Sequence, residues 1–368
     1  QMIKKLGIPK EVKQDEGRVA LIPEHITQFT GLADIFVETQ AGFGSGFTDK
    51  DYEDAGAKIV HSAEELYEIS EIICKVKEPQ PQELELLNSS HVLFAYLHLS
   101  SNISLTKALL DKKLTGIATE MIMDGKKYPL LIPMSRIAGN LAIQKGMQFL
   151  EYSSQGKGVL LSSISGEKNS KVTIIGCGEV GRASIHKSVQ IGASVTAIDV
   201  NENTLEDLKN KYGENISTII SGTDEAVNAI RSADLVIGAV LLPGRKPPVV
   251  VTKEDISAME QGTVIVDVAI DQGGCVEGVK PNTHSDPFEI RNGVIVSAIA
   301  NLPGAVPRTS SIELSTNLQK YVDNLLIENW FDKYKNNESL RPSLQIHNGL
   351  LLSEEVADSL SLTLSKLV

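Results

Sequence analysis

The segment Gly176-Cys177-Gly178-Glu179-Val180-Gly181 follows the apolar run Val172-Thr173-Ile174-Ile175 and opens a stretch of helical periodicity. Three glycines at this spacing, between a strand and a helix, suit a dinucleotide. The first permits a tight turn, the second lets the backbone approach a pyrophosphate, and the third lets helix and strand pack closely. The helix then faces the anion with its unpaired N–H groups. Asp199 closes the next apolar run, 23 residues after Gly176. That is close to the ~20-residue spacing of an acid that accepts hydrogen bonds from a ribose 2′-hydroxyl. A carboxylate there repels a 2′-phosphate, and Val200-Asn201-Glu202-Asn203 brings no Arg or Lys to accommodate one. The expected cofactor is NAD rather than NADP. A glycine turn that binds nothing is the alternative, and the strand, helix and acid around the motif weigh against it.

Four further charged groups stand among apolar strands. Lys75-Val76-Lys77-Glu78-Pro79 ends such a strand, so one lysine can face a cleft, although a solvated lysine is the commoner fate. His98 follows Leu93-Phe94-Ala95-Tyr96-Leu97, at the strand end where open α/β sheets bind ligands. A hydrogen-bonded core histidine is the alternative. Arg18 in Glu16-Gly17-Arg18-Val19-Ala20 reads equally as a surface arginine, and Asp271 before Gly273-Gly274 reads equally as turn chemistry. Taken singly, none of the four identifies a reaction. Cys74, Cys177 and Cys275 have neither metal spacing nor a disulfide framework, and read as reduced thiols of a cytoplasmic protein. No metal site is expected.

Holding these groups takes two α/β layers. At roughly 150 residues per domain, 368 residues make two domains. Strands are expected at Lys5 to Pro9, Asp34 to Glu38, Glu71 to Val76, His91 to Tyr96 and Leu114 to Ala118. Helices at Glu24 to Thr30, Ala63 to Ile69 and Leu105 to Asp111 separate them, an alternation that implies parallel pairing. A long helix, Ser135 to Ser153, and a loop, Gln155 to Ser170, lead to a second series. Its strands are Lys171 to Ile175, Ser194 to Asp199, Ile216 to Ile220, Asp234 to Leu241, Thr263 to Ala269 and Val294 to Ala300. Helices are expected at Val180 to Ile191, Leu205 to Tyr212 and after Thr252, where Asp255 completes a capping-box pattern. After Pro307 the pattern reads as helical to the end, with Ile312 to Trp330 one helix. The expected layout is a substrate domain of residues 1–133 and 308–368 and an NAD-binding domain of residues 134–307. Both are Rossmann-like with parallel sheets, and the active site lies in the cleft between them. The composition, 42% hydrophobic and 22% charged, is that of a soluble globular protein. Its formal net charge of −12 argues against nucleic acid or an anionic membrane as partner. No run approaches the ~18 apolar residues of a membrane span.

Taken together, the segments resemble the alanine dehydrogenase and transhydrogenase alpha-subunit family. The resemblance is carried by Gly7 to Glu11, Glu16 to Pro23, Ala41 to Gly46, Lys75 to Pro79, Leu97 to Leu99, Pro129 to Gly139, Asp234 to Gly244, Val266 to Gly278 and Ala300 to Ser310. Within that family, His98 and the Asp271 stretch look like the dehydrogenase; transhydrogenase subunits usually lack both. The resemblance implies oxidative deamination of L-alanine by NAD and water to pyruvate and ammonia, reversibly, in a homo-oligomer that is a hexamer. A transhydrogenase subunit or a dehydrogenase of another amino acid is the alternative. It further implies that Arg18 and Lys77 bind the substrate, that His98 is the general acid/base, and that Asp271 assists proton transfer. Ser135, Gly176, Gly178, Glu179, Val180, Gly181, Asp199, Ser221, Val240, Leu241, Val268, Ile270, Asp271, Asn301 and Leu302 would line the cofactor. Arg136, Thr119-Glu120-Met121-Ile122 and Lys280 depart from the family pattern, where an acid, an aromatic-containing stretch and an arginine are usual.

Overall fold

The computed structural model describes residues 4–165, 170–242 and 246–367. Residues 166–169 of the expected loop and Pro243 and Gly244 of the Asp234 to Gly244 segment lie outside the described residues. The chain divides into two compact units, Gln1–Met134 with Val306–Val368, and Ser135–Ala305.

The first unit carries strands β1 (Lys4–Ile8), β2 (Ala33–Glu38), β3 (Lys58–Val60), β4 (Ile72–Cys74), β5 (Val92–Ala95) and β6 (Thr115–Ala118). From the end of the chain it adds β14 (Leu344–His347) and β15 (Leu350–Leu351). They form one sheet in the order β15-β14-β6-β5-β4-β1-β2-β3. β1 to β6 pair in parallel; β14 runs antiparallel to β6 and β15 antiparallel to β14. The central strands are buried runs such as Val92-Leu93-Phe94-Ala95, as expected of a parallel sheet covered on both faces.

The second unit carries β7 (Lys171–Ile175), β8 (Ser194–Asp199), β9 (Ile216–Ile220), β10 (Leu235–Gly238), β11 (Val264–Asp267), β12 (Glu289–Arg291) and β13 (Val294–Ser297), ordered β12-β13-β11-β10-β7-β8-β9. All but β12 are parallel. In both units the strand order reverses beside the first strand, at β1/β4 and at β7/β10. That reversal opens a crevice at the carboxyl ends where ligands bind in such sheets. The fold is therefore doubly wound α/β in each unit, with antiparallel strands added at an edge.

Several expectations need correction. The chain is not helical to its end, and Ile312 to Trp330 is not one helix. The helix Pro307–Val322 stops where Asp323 and Asn324, poor residues for a helix interior, tighten the chain into a 3-10 turn at Asp323–Leu325. A new helix, Trp330–Asn336, precedes the β14–β15 hairpin. The strand expected at Asp234 to Leu241 ends at Gly238. That expected at Thr263 to Ala269 ends at Asp267, whose carboxylate accepts from the Ala269 N–H at 2.9 Å and starts a 3-10 turn. The long helix spans Ile132–Phe149 rather than Ser135 to Ser153. Helices Asp49–Asp54 and Asp224–Arg231 were not anticipated.

Candidate active site

In the second unit the glycine motif occupies the turn after β7. Gly176 has φ +91°, and a Cβ there would lie 2.6 Å from the Ala239 carbonyl oxygen at the end of β10. A Cβ on Gly181 would overlap the Gly176 carbonyl oxygen, so helix Glu179–Gln190 packs against the turn only because that residue has no side chain. Gly178 differs: a Cβ there would meet nothing within 4 Å. The turn therefore needs its first and third glycines for its own shape, while the second faces open space at the helix N-terminus. That division fits a pyrophosphate approaching Gly178.

Asp199 ends β8 and ties the motif down. Its Oδ2 accepts from the Cys177 N–H at 2.7 Å and its Oδ1 from the Asn201 N–H at 2.9 Å. Each carboxylate oxygen keeps a lone pair for a further donor. Burial, with the Asp199 charge second, pushes the Cys177 thiol up to about 12, which makes it a packed thiol rather than a nucleophile.

The other expected cofactor residues fall just past strand ends. Ser221 follows β9, Val240 and Leu241 follow β10, Val268 and Ile270 follow β11, and Asn301 and Leu302 follow β13. Ser135 lies in the first turn of Ile132–Phe149, and the helix holding Val180 and Gly181 crosses that helix at Gly139, whose carbonyl accepts from Ser184 Oγ at 2.8 Å. Glu179 pairs with Arg136 at 3.1 Å, so the unusual arginine offsets an acid beside the glycine turn. Asp271 is exposed on the turn after β11. That turn is held from beneath by buried Asp267, which also accepts from the Cys275 and Val276 N–H groups at 2.8 and 3.0 Å. Burial pushes the Asp267 carboxyl up despite those bonds.

In the first unit, Arg18, Lys77 and His98 lie beyond strand carboxyl ends or in the loop after β1. Arg18 is buried and forked onto Glu16, with Nε–Oε1 2.7 Å and NH2–Oε2 2.6 Å; NH1 faces Met134 Sδ at 3.4 Å. Burial works against its charge, and Glu16, Tyr96 and Glu11 outweigh burial, so its pKa is raised and it stays cationic. His98 is half-exposed and sits in the left-handed region at φ +46°, sparse for a residue with a Cβ. Its ring stacks on Tyr96 with centroids 6.1 Å apart, and the Tyr96 hydroxyl donates to the Leu130 carbonyl. Buried Glu120 holds the strained backbone. It accepts from the His98 N–H at 2.7 Å and from the Leu97 N–H at 3.1 and 3.2 Å, and its Oε1 lies 3.8 Å from His98 Nδ1.

Sequence reasoning missed Glu120, Glu16 and Asp267 as organisers of the site. For Glu120 the available signals were a carboxylate two residues past the buried strand β6 and its place in a stretch that departs from the family pattern. Among the described residues no group of three or more His, Cys, Asp or Glu could hold a metal, and no helix is long and apolar enough to cross a membrane.

With this geometry in place, comparisons with known proteins are specific. The family "Alanine dehydrogenase/PNT, N-terminal domain" matches residues 7–138, and "Alanine dehydrogenase/PNT, C-terminal domain" matches residues 142–354. The chain is 44% identical over 357 residues to alanine dehydrogenase of Bacillus subtilis (strain 168), covering 96% of this chain and 94% of that one. Among solved structures, an L-alanine dehydrogenase superposes with TM-score 0.92 at 39% identity, covering 97% of this chain and 99% of that one. A transhydrogenase from Sinorhizobium meliloti superposes with TM-score 0.81 at 25% identity, covering 95% and 99%.

Proposed function

Because the chain belongs to the alanine dehydrogenase/PNT family, we propose that Arg18, Lys77, His98 and Asp271 are the groups through which it works on its substrate. The activity is NAD-dependent oxidative deamination of L-alanine: L-alanine, NAD and water give pyruvate, ammonium, NADH and a proton. The observation that carries this is near-full-length likeness to alanine dehydrogenases, 44% and 39% identical, against 25% for the transhydrogenase.

Gly176, Gly178, Gly181 and Asp199 hold NAD, with Ser135, Glu179, Val180, Ser221, Val240, Leu241, Val268, Ile270, Asn301 and Leu302 around it. Support comes from the open space over Gly178 and the acceptors left on Asp199. When bound, NAD supplies a two-electron acceptor for the hydride that leaves the alanine Cα. The chain's own groups do the rest. Lys77 and the Arg18 guanidinium, kept cationic by Glu16, bind the substrate carboxylate and polarise the carbonyl of pyruvate. Once hydride has left, the amine is an iminium; water adds to it as His98 takes a proton, and ammonia leaves from the carbinolamine as His98 returns that proton to nitrogen and the hydroxyl proton is given up to form the carbonyl. Exposed Asp271 assists the proton transfers at nitrogen. His98 suits its part because a neutral imidazole carries one nitrogen that accepts a proton and one that donates, and Glu120 fixes its backbone.

The homo-oligomer, a hexamer, and a cytoplasmic location belong to the same reading; free Cys74, Cys177 and Cys275 support a reducing compartment. The test is a screen of the purified chain with NAD against small L-amino acids. NADH from L-alanine supports the reading; NADH only from another amino acid replaces the substrate.

A further inference from the structure

Lys75 and Lys77 stand two residues apart after β4, yet the structure treats them differently. The Lys75 side chain is fully buried, and its ammonium faces three acceptors: Glu11 Oε2 at 2.8 Å, the Lys77 backbone carbonyl at 2.8 Å and Glu83 Oε1 at 3.4 Å. An ammonium has three N–H groups, so Lys75 keeps none for a substrate. The other oxygen of Glu11, Oε1, accepts from the Val76 N–H. Glu83 is itself held: Oε1 accepts from the Tyr67 hydroxyl at 3.1 Å and Oε2 from the Gln80 N–H at 2.8 Å. One buried cluster thus pins the dipeptide Val76-Lys77 at both ends, at the N–H of the first residue and the carbonyl of the second. Between those points the Val76 carbonyl accepts from the Tyr96 N–H at 3.0 Å, which extends the sheet to the residue that stacks on His98.

Two carboxylates and one ammonium out of water stabilise a fold no better than apolar side chains of the same volume. What they add is direction, because each bond fixes a backbone group in a set orientation. We propose that Glu11, Lys75 and Glu83 are positioning residues that set the backbone of Val76-Lys77 and so aim the Lys77 side chain at the substrate's carboxylate or carbonyl oxygen. This rests on the assignment of Lys77 to the substrate made above.

The test is a cycle of four proteins: wild type, Glu11→Gln, Lys77→Ala and the double variant. Each is assayed for kcat and KM with pyruvate at saturating NADH and ammonium, alongside NADH Kd by fluorescence. Misplacing a substrate-binding group by about 1 Å can cost on the order of 100-fold. Glu11→Gln is therefore expected to lower kcat/KM by about 10- to 100-fold, with NADH Kd within about twofold of wild type. In the Lys77→Ala background, the same substitution is expected to change kcat/KM by less than about threefold, since no side chain remains to be aimed. Equal losses in both backgrounds would show a general structural role and overturn the proposal, as would a silent Glu11→Gln. A silent Lys77→Ala would instead overturn the substrate assignment and the inference with it, and that failure is read from a different protein. If Glu11→Gln does not fold, Glu83→Gln, which neutralises the second carboxylate of the cluster and replaces one of the two oxygens that serve Lys75, Tyr67 and Gln80, is judged in the same cycle by the same criteria.

Discussion

Replacing Asp199 by alanine tests the cofactor site at its most exactly described point. The carboxylate takes one N–H on each oxygen, from Cys177 at 2.7 Å and from Asn201 at 2.9 Å, and keeps one acceptor position per oxygen for the ribose hydroxyls. Hydrogen bonds to a charged group contribute about 1.5–3 kcal/mol each, and water replaces part of that when the carboxylate is gone. Two ribose bonds then make about 2–4 kcal/mol, or roughly 30- to several-hundred-fold in NAD Kd. Part of the loss passes through the glycine turn, because the Cys177 N–H loses its partner. NADP moves the other way: without the repelling charge, discrimination relaxes. Adding Val200→Arg at a position 80% exposed supplies a partner for the 2′-phosphate and is expected to improve NADP further. The assay is Kd for NADH and NADPH, and kcat/KM for alanine oxidation with each oxidised cofactor, in wild type and both variants. Unchanged NAD affinity in Asp199→Ala, or equal use of NADP by wild type, would refute the reasoning.

Other expectations are as direct. His98→Ala and Asp271→Asn should each lower turnover by at least ~100-fold, the usual worth of general acid–base catalysis, with NADH affinity retained in the histidine variant; near-normal turnover in either folded variant removes that residue from the chemistry. Gly178→Ala puts its Cβ into open space, so urea unfolding should stay within about 1 kcal/mol of wild type while NADH binding weakens. Gly181→Ala drives a Cβ into the Gly176 carbonyl and should cost stability outright; the reverse pattern in this pair would mean that the turn is not the pyrophosphate seat. Cys74, Cys177 and Cys275 are buried, so a thiol reagent near pH 8 should react with them only on unfolding, and rapid modification of the native chain would contradict the packing.

The parts of the fold that were legible are those where one physical signal dominates. Lys171–Ile175, Ser194–Asp199 and Ile216–Ile220 read residue for residue as strands, because each is a short run rich in β-branched residues bounded by polar breaks. The capping box of Thr252 and Asp255 was legible because it is local, and both of its bonds are present. The two antiparallel hairpins were passed over although each carries a signal. Asn292-Gly293 and Asn348-Gly349 have positive φ at both residues, the requirement of a type I′ two-residue turn, and Asn-Gly is the strongest short-range mark of one. At the site, residue types raised Arg18, one of Lys75 and Lys77, His98 and Asp271 as candidates, and the family resemblance gave Arg18, Lys77, His98 and Asp271 their roles. What holds them was invisible, because it comes from far along the chain or from buried charge. Glu120 reaches back 22 residues to the His98 N–H, and Glu11 crosses 64 residues to Lys75. Periodicity cannot say which of two lysines in Lys75-Val76-Lys77 goes inside; the three acceptors around Lys75 decide it.

The central claim is that this chain oxidises L-alanine with NAD through these groups. The most direct measurement is the initial rate of NADH formation by the purified protein, followed by absorbance, with L-alanine and NAD and then with NADP in its place. NADH formation is expected to depend on L-alanine, to show a strong preference for NAD, and to reverse when pyruvate, ammonium and NADH are supplied. A folded protein that binds NADH yet forms none from L-alanine would contradict the claim.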